Sequence, residues 1–378
     1  MENNKPKECI YCQADAYFDS VLQAINQAKT HIDMEVYIFD IDPIGKLVSQ
    51  ALIQAAQRGV NVRLLVDGMG ANLDFIPVAK QLKAAGALVR IHRPLPWYVK
   101  LWALSLSSIR GLKKFWYLLT YINQRNHRKL LIVDHSAIWL GSINVSQKHF
   151  SYDQGGENWR DTAIALHNID THAIQSVYNL NWCKKKRKEK KRLSQQLITT
   201  PFLLNFTRTL RQKKRKNLIS RIASSQDFIW ITNAYFMPNS KLLSALISAS
   251  KKGVDVRIVL PHKSDVFFMP WVASYFYDQL LKANIRIYEY QAGILHAKTL
   301  IIDNWASIGS SNLNQRSLQH DLEIDYVLQT SKSITQLTHD FLSDISHSEE
   351  FCYTELSTKK PWQRYLGGLI LVLFSYWL

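Results

Sequence analysis

The stretch NHRKLLIVD, residues 126–134, places a histidine and a lysine two residues apart at the head of an apolar run. The run at 130–133 predicts a buried strand, along which successive side chains point to opposite faces. His127 and Lys129 therefore share one face, and Asp134 points to the other. A buried lysine beside a buried histidine is unfavourable unless an anion or a carboxylate lies there. For a single copy, the alternative is a strand start whose two polar residues reach solvent.

The pattern occurs twice, which favours the functional interpretation. In HAKTLIIDN, His296, Lys298 and Asp303 repeat the spacing of the first motif, and each copy is followed by Gly-Ser-x-Asn, at 141–144 and 309–312. The stretch QRGVNVRLLV likewise has a partner in KKGVDVRIVL. Internal repeats of this kind identify a chain built from two copies of one structural unit. In the second copy, one residue fewer separates Asp303 from Gly309, which predicts a shorter hairpin turn.

Each copy alternates helical and strand patterns, which predicts an α/β fold. Strands that alternate with helices indicate a mostly parallel sheet covered on both faces. Two such halves predict a pseudo-two-fold molecule whose functional groups meet where the halves converge. Gly59 and Gly253 correspond at an offset of 194, but His127 and His296 correspond at 169, so the first half carries 25 extra residues. We place this insertion within residues 94–122.

The net charge of +17 is concentrated in one part of the 378-residue chain. Residues 184–221 contain fifteen Lys or Arg and one acid, a local charge of +14, which leaves +3 for the other 340 residues. Such a run is usually a solvated linker or helix face, and it can also hold a protein at an anionic membrane. A nucleic-acid groove would distribute basic residues around the catalytic cleft. We therefore expect no nucleic-acid partner.

Two further segments favour contact with a membrane. The insertion at 94–122 combines three tryptophans with four basic residues and no acid, which is typical of an interfacial helix. An additional core or dimer helix is the alternative. The last 13 residues are uncharged but reach only about 20 Å as a helix, short of a bilayer core of about 30 Å. We expect this tail to dip into one leaflet, with burial at a subunit contact as the alternative.

The N-terminus and the cysteines favour a cytosolic protein. The polar start MENNKPKECIYC predicts no secretory leader. Four cysteines do not predict a disulfide framework in a chain of this length. Cys9 and Cys12 form one C-x-x-C without a second pair, so ordinary thiols are favoured over a zinc or redox site.

Two histidines, each with a lysine, suit displacement at phosphorus. One imidazole can attack while the other protonates the leaving alkoxide, and the lysines neutralise phosphate oxygens, so no metal is needed for that task. Each histidine needs a partner on its other ring nitrogen, and we assign Asp161 and Glu323 to this orienting role. Asp161 follows His127 by 34 residues, and Glu323 follows His296 by 27. The remaining candidates are phosphate-binding Ser142, Asn144, Ser310 and Asn312, and structural Asp134, Asp303, Gly141 and Gly309.

The paired H-x-K-x4-D motif, followed by Gly-Ser and Asn, resembles the phospholipase D superfamily from about Tyr17 to Leu328. Within it the chain is most similar to bacterial cardiolipin synthases of the short type, without N-terminal membrane spans. The resemblance implies two pseudo-two-fold-related α/β/α repeats with mixed, mostly parallel sheets and an active site at their interface. It also implies a covalent phosphohistidine intermediate, no cofactor, and transfer between two phosphatidylglycerols to give cardiolipin and glycerol.

The resulting expectation is a phosphatidyltransferase at the cytoplasmic face of a bacterial inner membrane, bound peripherally or monotopically. Hydrolysis of a phospholipid by water, nuclease activity and a catalytically inactive scaffold are the alternatives. Anionic lipid would contact residues 94–122, 184–216 and 361–378. The expected domains are an N-terminal repeat at 1–183, a basic linker at 184–216, a C-terminal repeat at 217–360 and an apolar tail at 361–378.

Overall fold

The computed structural model describes residues 6–95, 124–183, 187–356, 358 and 361–374. The predicted insertion at 94–122 lies almost wholly outside this part of the chain, as does the end of the predicted tail at 375–378. The described residues form two mixed β-sheets, one for each sequence repeat.

The first repeat contains a sheet of seven described strands. They are β1 (Lys7–Tyr11), β2 (His31–Ile38), β3 (Asn61–Gly70), β4 (Leu88–His92), β5 (Leu130–Val133), β6 (Ala137–Gly141) and β7 (Ala163–His167). Their order across the sheet is β1-β7-β6-β5-β2-β3-β4. The described helices of this repeat are α1 (Ala14–Gln27), α2 (Pro43–Gln57), α3 (Phe75–Ala84) and α4 (His172–Trp182).

The second repeat follows the same plan with eight described strands. They are β8 (Phe202–Leu204), β9 (Phe228–Asn233), β10 (Asp255–Lys263), β11 (Arg286–Ile294), β12 (Lys298–Ile302), β13 (Trp305–Gly309), β14 (Ile324–Val327) and β15 (Ser348–Phe351), in the order β15-β11-β10-β9-β12-β13-β14-β8. The described helices from residue 187 onward are α5 (Arg187–Gln196), α6 (Arg208–Ser224), α7 (Ser240–Lys251), α8 (Met269–Ser274), α9 (Tyr277–Lys282), α10 (Gln315–Gln319), α11 (Ser331–Ser346) and α12 (Pro361–Phe374).

The predicted α/β class with two repeats and mixed sheets is confirmed. Parallel pairing joins β2 to β3 and β3 to β4 in one sheet, and β9 to β10 and β10 to β11 in the other. The other strand pairs are antiparallel, and they include the hairpins of β5 with β6 and of β12 with β13, whose strands are joined by short turns. Parallel pairing is therefore less extensive than the alternation of helices and strands predicted. The second hairpin turn has two residues and the first has three, as the sequence indicated.

The repeated Gly-Val-x-Val-Arg stretches mark the same helix end in both halves. Helices α2 and α7 begin at side-chain caps, since Asp42 accepts the N–H of Gly45 and Asn239 accepts that of Leu242, both at 3.0 Å. They end just before Gly59 and Gly253, whose φ values of 90° and 94° lie in the left-handed region. Glycine adopts this conformation without a steric penalty, so it stops each helix and turns the chain into the next strand.

The two sheets pack face to face across a shared apolar core. Ile132 and Ile138 of the first sheet join Ile301 and Ile308 of the second in one buried cluster. Each such side chain contributes roughly 1.5–3 kcal/mol relative to exposure. Helices α1 to α3 cover the outer face of the first sheet, and α7 to α9 cover that of the second. This packing brings the two histidine motifs to one interface.

The segment predicted as a basic linker is largely structured. Strand β8 lies inside 184–216 and forms an edge of the second sheet by pairing with β14, and α6 starts at Arg208. The second repeat therefore begins before residue 217, because β8 and α6 occupy the places that β1 and α1 have in the first. The two basic runs dominate the composition of this segment, so the sequence did not predict the short strand β8 between them.

Helix α12 packs against α8 at the far side of the second sheet. Its Gly367 allows close approach, since a Cβ there would lie 2.2 Å from the carbonyl oxygen of Trp271. Among the helices of the described residues, none combines the length and the apolar character needed to cross a bilayer.

Candidate active site

Both histidine motifs lie at the start of a central strand. His127 and Lys129 immediately precede β5, whereas His296 lies two residues before Lys298, the first residue of β12. Each of these strands pairs with the parallel part of its own sheet, through β2 and β9. All four side chains are buried. The fold thus brings together the two pairs that the sequence assigned to the chemistry.

Each histidine is held by a carboxylate from the other repeat. The Nδ1 of His127 lies 3.1 Å from both carboxylate oxygens of Glu323, and the Nδ1 of His296 lies 2.7 Å from Oδ1 of Asp161. Both predicted carboxylates are therefore in contact with the histidines. The pairing crosses the interface between repeats, so neither half can orient its own histidine.

Short backbone pairings between the repeats cause this crossing. The N–H of His127 donates to the carbonyl oxygen of Leu322 at 3.0 Å, and the N–H of His296 donates to that of Arg160 at 2.8 Å. Glu323 directly follows Leu322 in the chain, and Asp161 directly follows Arg160. Backbone hydrogen bonds therefore place each carboxylate directly beside the histidine of the opposite repeat.

Both imidazoles are neutral near pH 7. Burial lowers the pKa of His127 and of His296 to about 4, although the facing carboxylates oppose this shift. Burial on its own raises the pKa of Glu323, but His127 and Lys129 outweigh it and bring that pKa down to about 2. The imidazoles of His149 and His296 hold the pKa of Asp161 well below its usual value, although burial alone would raise it. A neutral ring that donates from Nδ1 to a carboxylate keeps a lone pair on Nε2.

The two lysines are the cations of the site. Burial lowers the pKa of Lys129 to about 7 and that of Lys298 to about 8. Each ammonium group donates to the backbone carbonyl oxygen of the histidine two residues before it, for Lys129 at 2.9 Å. An anionic phosphodiester would favour their charged forms, since an opposite charge nearby stabilises an ammonium ion.

The predicted phosphate-binding serines instead contact the carboxylates. The hydroxyl of Ser142 donates to Asp161 at 2.6 Å, and that of Ser310 donates to Glu323 at 2.5 Å. Asn144 accepts the N–H of Ile38 at 3.2 Å, and Asn312 is buried close to the same interface. The serines therefore hold the carboxylates that hold the histidines, a support that sequence spacing alone did not show.

The motif aspartates and glycines contact the scaffold. Asp134 accepts the backbone N–H groups of residues 29–31 at 2.8–2.9 Å, and Asp303 accepts those of residues 226–228 at 2.9–3.0 Å. Gly141 and Gly309 permit close strand contact. A Cβ at Gly141 would lie 2.5 Å from the Cα of Ala163, and one at Gly309 would lie 2.1 Å from an Asp325 carboxylate oxygen.

One group of side chains in the described residues has the composition of a metal site. His149, Asp161 and His296 bring one potential ligand atom each within 4.8 Å of the others. Both imidazoles, however, direct Nδ1 at oxygens of Asp161, at 2.6 Å for His149 and 2.7 Å for His296. These hydrogen bonds already occupy the atoms that a cation would need, so the geometry fits a hydrogen-bonded triad.

Residues 21–159 and 218–345 match the family model described as cardiolipin synthase, phospholipase D-like domain. The chain belongs to this family. The two matched segments contain both histidine motifs, which confirms the resemblance seen in the sequence. Members named as cardiolipin synthases are phosphatidyltransferases of the phospholipase D superfamily.

Two bacterial relatives show how much of the chain is shared. The cardiolipin synthase of Clostridium perfringens strain 13 is 31% identical over 350 residues, covering 89% of this chain and 70% of the relative. The major cardiolipin synthase of Bacillus subtilis strain 168 is 30% identical over 362 residues, covering 92% and 70%. Among solved structures, phosphatidylserine synthase from Haemophilus influenzae Rd KW20 superposes with a TM-score of 0.69 at 12% identity, covering 99% of this chain and 96% of that one. This last likeness shows a common fold.

Three aromatic side chains next to His127 and His296 were not predicted from the sequence. The ring of Tyr37 lies 4.9 Å from that of His127, centroid to centroid, and Tyr235 lies 6.4 Å from His296. The Trp159 ring lies 5.3 Å from that of His296. Tyr37 is the second-last residue of β2, and Tyr235 lies two residues after the equivalent strand β9. This placement of a tyrosine near the carboxyl end of each equivalent strand was the available signal.

Proposed function

We propose that this protein is a phosphatidyltransferase that joins two phosphatidylglycerols into cardiolipin, or makes a related phospholipid, and releases glycerol. The observation that carries the proposal is the crossed pairing of two buried histidines with two carboxylates. It brings together two imidazoles whose Nδ1 atoms face carboxylates, with an ammonium group beside each, in one interface. This is the set of groups needed to exchange one alcohol for another at a phosphodiester.

In the first half-reaction, Nε2 of one histidine attacks phosphorus. The P–N bond forms as the P–O bond to glycerol breaks, and the other histidine donates its Nε2 proton to the departing oxygen. That second histidine must be protonated at this point. The bound phosphodiester anion favours this state, because it raises the pKa of an imidazole beside it.

In the second half-reaction, the glycerol hydroxyl of another phosphatidylglycerol attacks the phosphohistidine. Its proton passes to the neutral second histidine, the P–N bond breaks, and both imidazoles return to their starting states. Lys129 and Lys298 neutralise the phosphate oxygens throughout, while Asp161 and Glu323 stabilise the positive charge that develops on each ring.

The test is incubation of the purified protein with phosphatidylglycerol in detergent micelles, with products identified by mass spectrometry. We expect cardiolipin and glycerol in equal amounts, and no cardiolipin from His127→Ala or His296→Ala. Conversion by either variant at the wild-type rate would overturn the proposal. So would a wild-type protein that forms neither cardiolipin nor phosphatidic acid.

Hydrolysis is the second candidate, because a histidine that deprotonates an alcohol can also deprotonate water. The same assay separates the two, since water as acceptor yields phosphatidic acid. A product mixture dominated by phosphatidic acid at high phosphatidylglycerol would assign the protein as a phospholipase D-type hydrolase. DNA cleavage without lipid turnover would assign it as a nuclease.

We propose peripheral association with the cytoplasmic face of the bacterial inner membrane. Trp362, Tyr365, Leu369 and Val372 form one stripe along α12 and are between 42% and 78% exposed. Exposed apolar stripes with aromatic residues are typical of helices that lie in the membrane interface. The predicted basic segment at 184–216 adds attraction to anionic lipid.

Sedimentation with phosphatidylglycerol-containing vesicles tests the membrane proposal. Replacing Trp362 and Tyr365 by serine should lower the bound fraction at least threefold. Leu47→Ser is the matched control, since this exposed leucine lies on α2 at the opposite face of the molecule. Equal binding by the control, the double variant and wild type would rule out α12 as the contact.

A further inference from the structure

Each carboxylate of the site is held by two donors from its own repeat. Asp161 accepts from Ser142 at 2.6 Å and from Nδ1 of His149 at 2.6 Å. Glu323 accepts from Ser310 at 2.5 Å, with a second serine 2.6 Å away in the position that corresponds to His149. Each repeat therefore builds a carboxylate clamp that reaches across to the histidine of the other repeat.

His149 and Ser317 occupy equivalent places in these clamps. They lie 168 residues apart in the chain, the same offset that separates Asn144 from Asn312. The backbone N–H of Asn144 donates to Nε2 of His149 at 3.2 Å, and that of Asn312 donates to the Ser317 hydroxyl oxygen at 3.3 Å. The local scaffold is thus the same, and only the donor side chain differs.

The carboxylate side chains of the two clamps also differ in length, and in the opposite direction to the donor side chains. Asp161 is one methylene shorter than Glu323, whereas an imidazole reaches further from its backbone than a serine hydroxyl. The first clamp combines a short acid with a long donor, and the second combines a long acid with a short donor. Both combinations end in a hydrogen bond of 2.6 Å. The two positions therefore complement each other in length.

We propose that His149 is a positioning residue whose length is matched to Asp161, and that it fixes the carboxylate that orients His296. The proposal takes from the proposed function only that His296 reacts at phosphorus. His149 occupies Oδ2 of Asp161, so that Oδ1 faces Nδ1 of His296. Its Nε2 is taken by the backbone N–H of Asn144, which leaves Nδ1 as the donor.

Packing keeps this chain of hydrogen bonds rigid. His149 and Asp161 are buried, and the Trp159 ring lies 4.9 Å from that of His149 and 5.3 Å from that of His296. A serine at 149 would not reach Asp161, and a buried carboxylate oxygen without a donor is unfavourable. The aspartate would then turn towards another donor and release His296.

A double-mutant cycle tests the length match. We expect His149→Ser and Asp161→Glu each to lower kcat about 10- to 100-fold, as the loss of a hydrogen-bonded partner of a metal-bound histidine does, with KM within about threefold of wild type. The double variant recreates the clamp of the second repeat, and we expect its kcat within about fivefold of wild type. Multiplicative losses in the double variant, or single variants with wild-type kcat, would overturn the proposal.

Two controls keep the cycle decisive. His149→Ser with Glu323→Asp combines residues of different clamps, so their losses should multiply. Should the first cycle fail to fold, Ser317→His with Glu323→Asp tests the same rule in the other repeat, where failure to recover kcat would contradict it.

A readout without turnover separates this proposal from the proposed function. In ¹⁵N spectra of the imidazole rings, wild-type His296 should show one fixed tautomer with the proton on Nδ1. His149→Ser should shift this signal, and the added Asp161→Glu should restore it. An unchanged His296 signal in folded His149→Ser would overturn the positioning role even if the lipid substrate were different.

Discussion

Replacing Glu323 by glutamine removes one charge from the site while keeping the shape of the side chain. The carboxylate lies 3.1 Å from Nδ1 of His127 and accepts two serine hydroxyls. Glutamine retains one acceptor oxygen for the ring, so the change removes the negative charge that stabilises His127 when that ring becomes positive. We expect kcat to fall and KM to change by less than about threefold.

The expected loss of kcat follows from the buried interaction between Glu323 and the positive charge that forms on His127. A hydrogen bond to a charged group contributes about 1.5–3 kcal/mol. The Coulomb energy of unit charges about 4 Å apart is about 4 kcal/mol at an effective dielectric constant of about 20. A loss of about 2–4 kcal/mol in the transition state corresponds to roughly a 30- to 1,000-fold lower kcat.

The assay is cardiolipin formation measured at saturating phosphatidylglycerol. Glu289→Gln is the matched control, because Glu289 is also a buried carboxylate 3.1 Å from a histidine Nδ1, that of His262. We expect the control to keep kcat within about twofold of wild type. A folded Glu323→Gln enzyme with kcat within threefold of wild type, or an equal loss in the control, would refute the reasoning. The His127 ring signal should shift, and that of His296 should not.

Three further predictions concern pH and the scaffold. The pKa values of about 7 and about 8 for Lys129 and Lys298 predict that kcat/KM falls as pH rises above this range, because the ammonium groups lose their protons; a flat pH–rate profile up to pH 10 would contradict this. Asp134→Ala should lower the free energy of unfolding by about 1–3 kcal/mol in urea titrations, since three backbone N–H groups lose their acceptor. The kcat of the folded variant should stay near that of wild type. Gly141→Ala should destabilise the fold by at least about 2 kcal/mol, because its Cβ would lie 2.5 Å from a neighbouring Cα, and an unchanged melting temperature would contradict the close strand contact.

The sign of the pH dependence of stability also follows from the histidines. His127 and His296 have folded-state pKa values of about 4, below the ordinary value of 6.5. The unfolded chain therefore binds more protons between these values, and stability falls as pH is lowered from about 6.5 to about 4. Glu323, with its pKa lowered to about 2, extends the loss to more acidic pH.

The sequence by itself determined the two-copy architecture and the two histidine–lysine pairs that are proposed to react. The repeat of His-x-Lys predicted that each pair shares a strand face, because alternation along a strand is a local property. The glycines at 59 and 253 end the same helix in both halves for a similarly local reason, since a positive φ is a requirement of one residue. Local rules of this kind can be read directly from the chain.

Only the tertiary structure decided which carboxylate serves which histidine. His127 and Glu323 are 196 residues apart, and Asp161 and His296 are 135 apart, so no local pattern encodes the contacts. They exist because two sheets pack face to face and backbone hydrogen bonds join the repeats next to each motif. The role of Ser142 and Ser310 as donors to the carboxylates depends instead on strand pairing within each repeat, of β6 with β7 and of β13 with β14. The histidine–lysine pairs proposed to react are encoded locally, whereas the carboxylates that each histidine contacts depend on how the two halves meet.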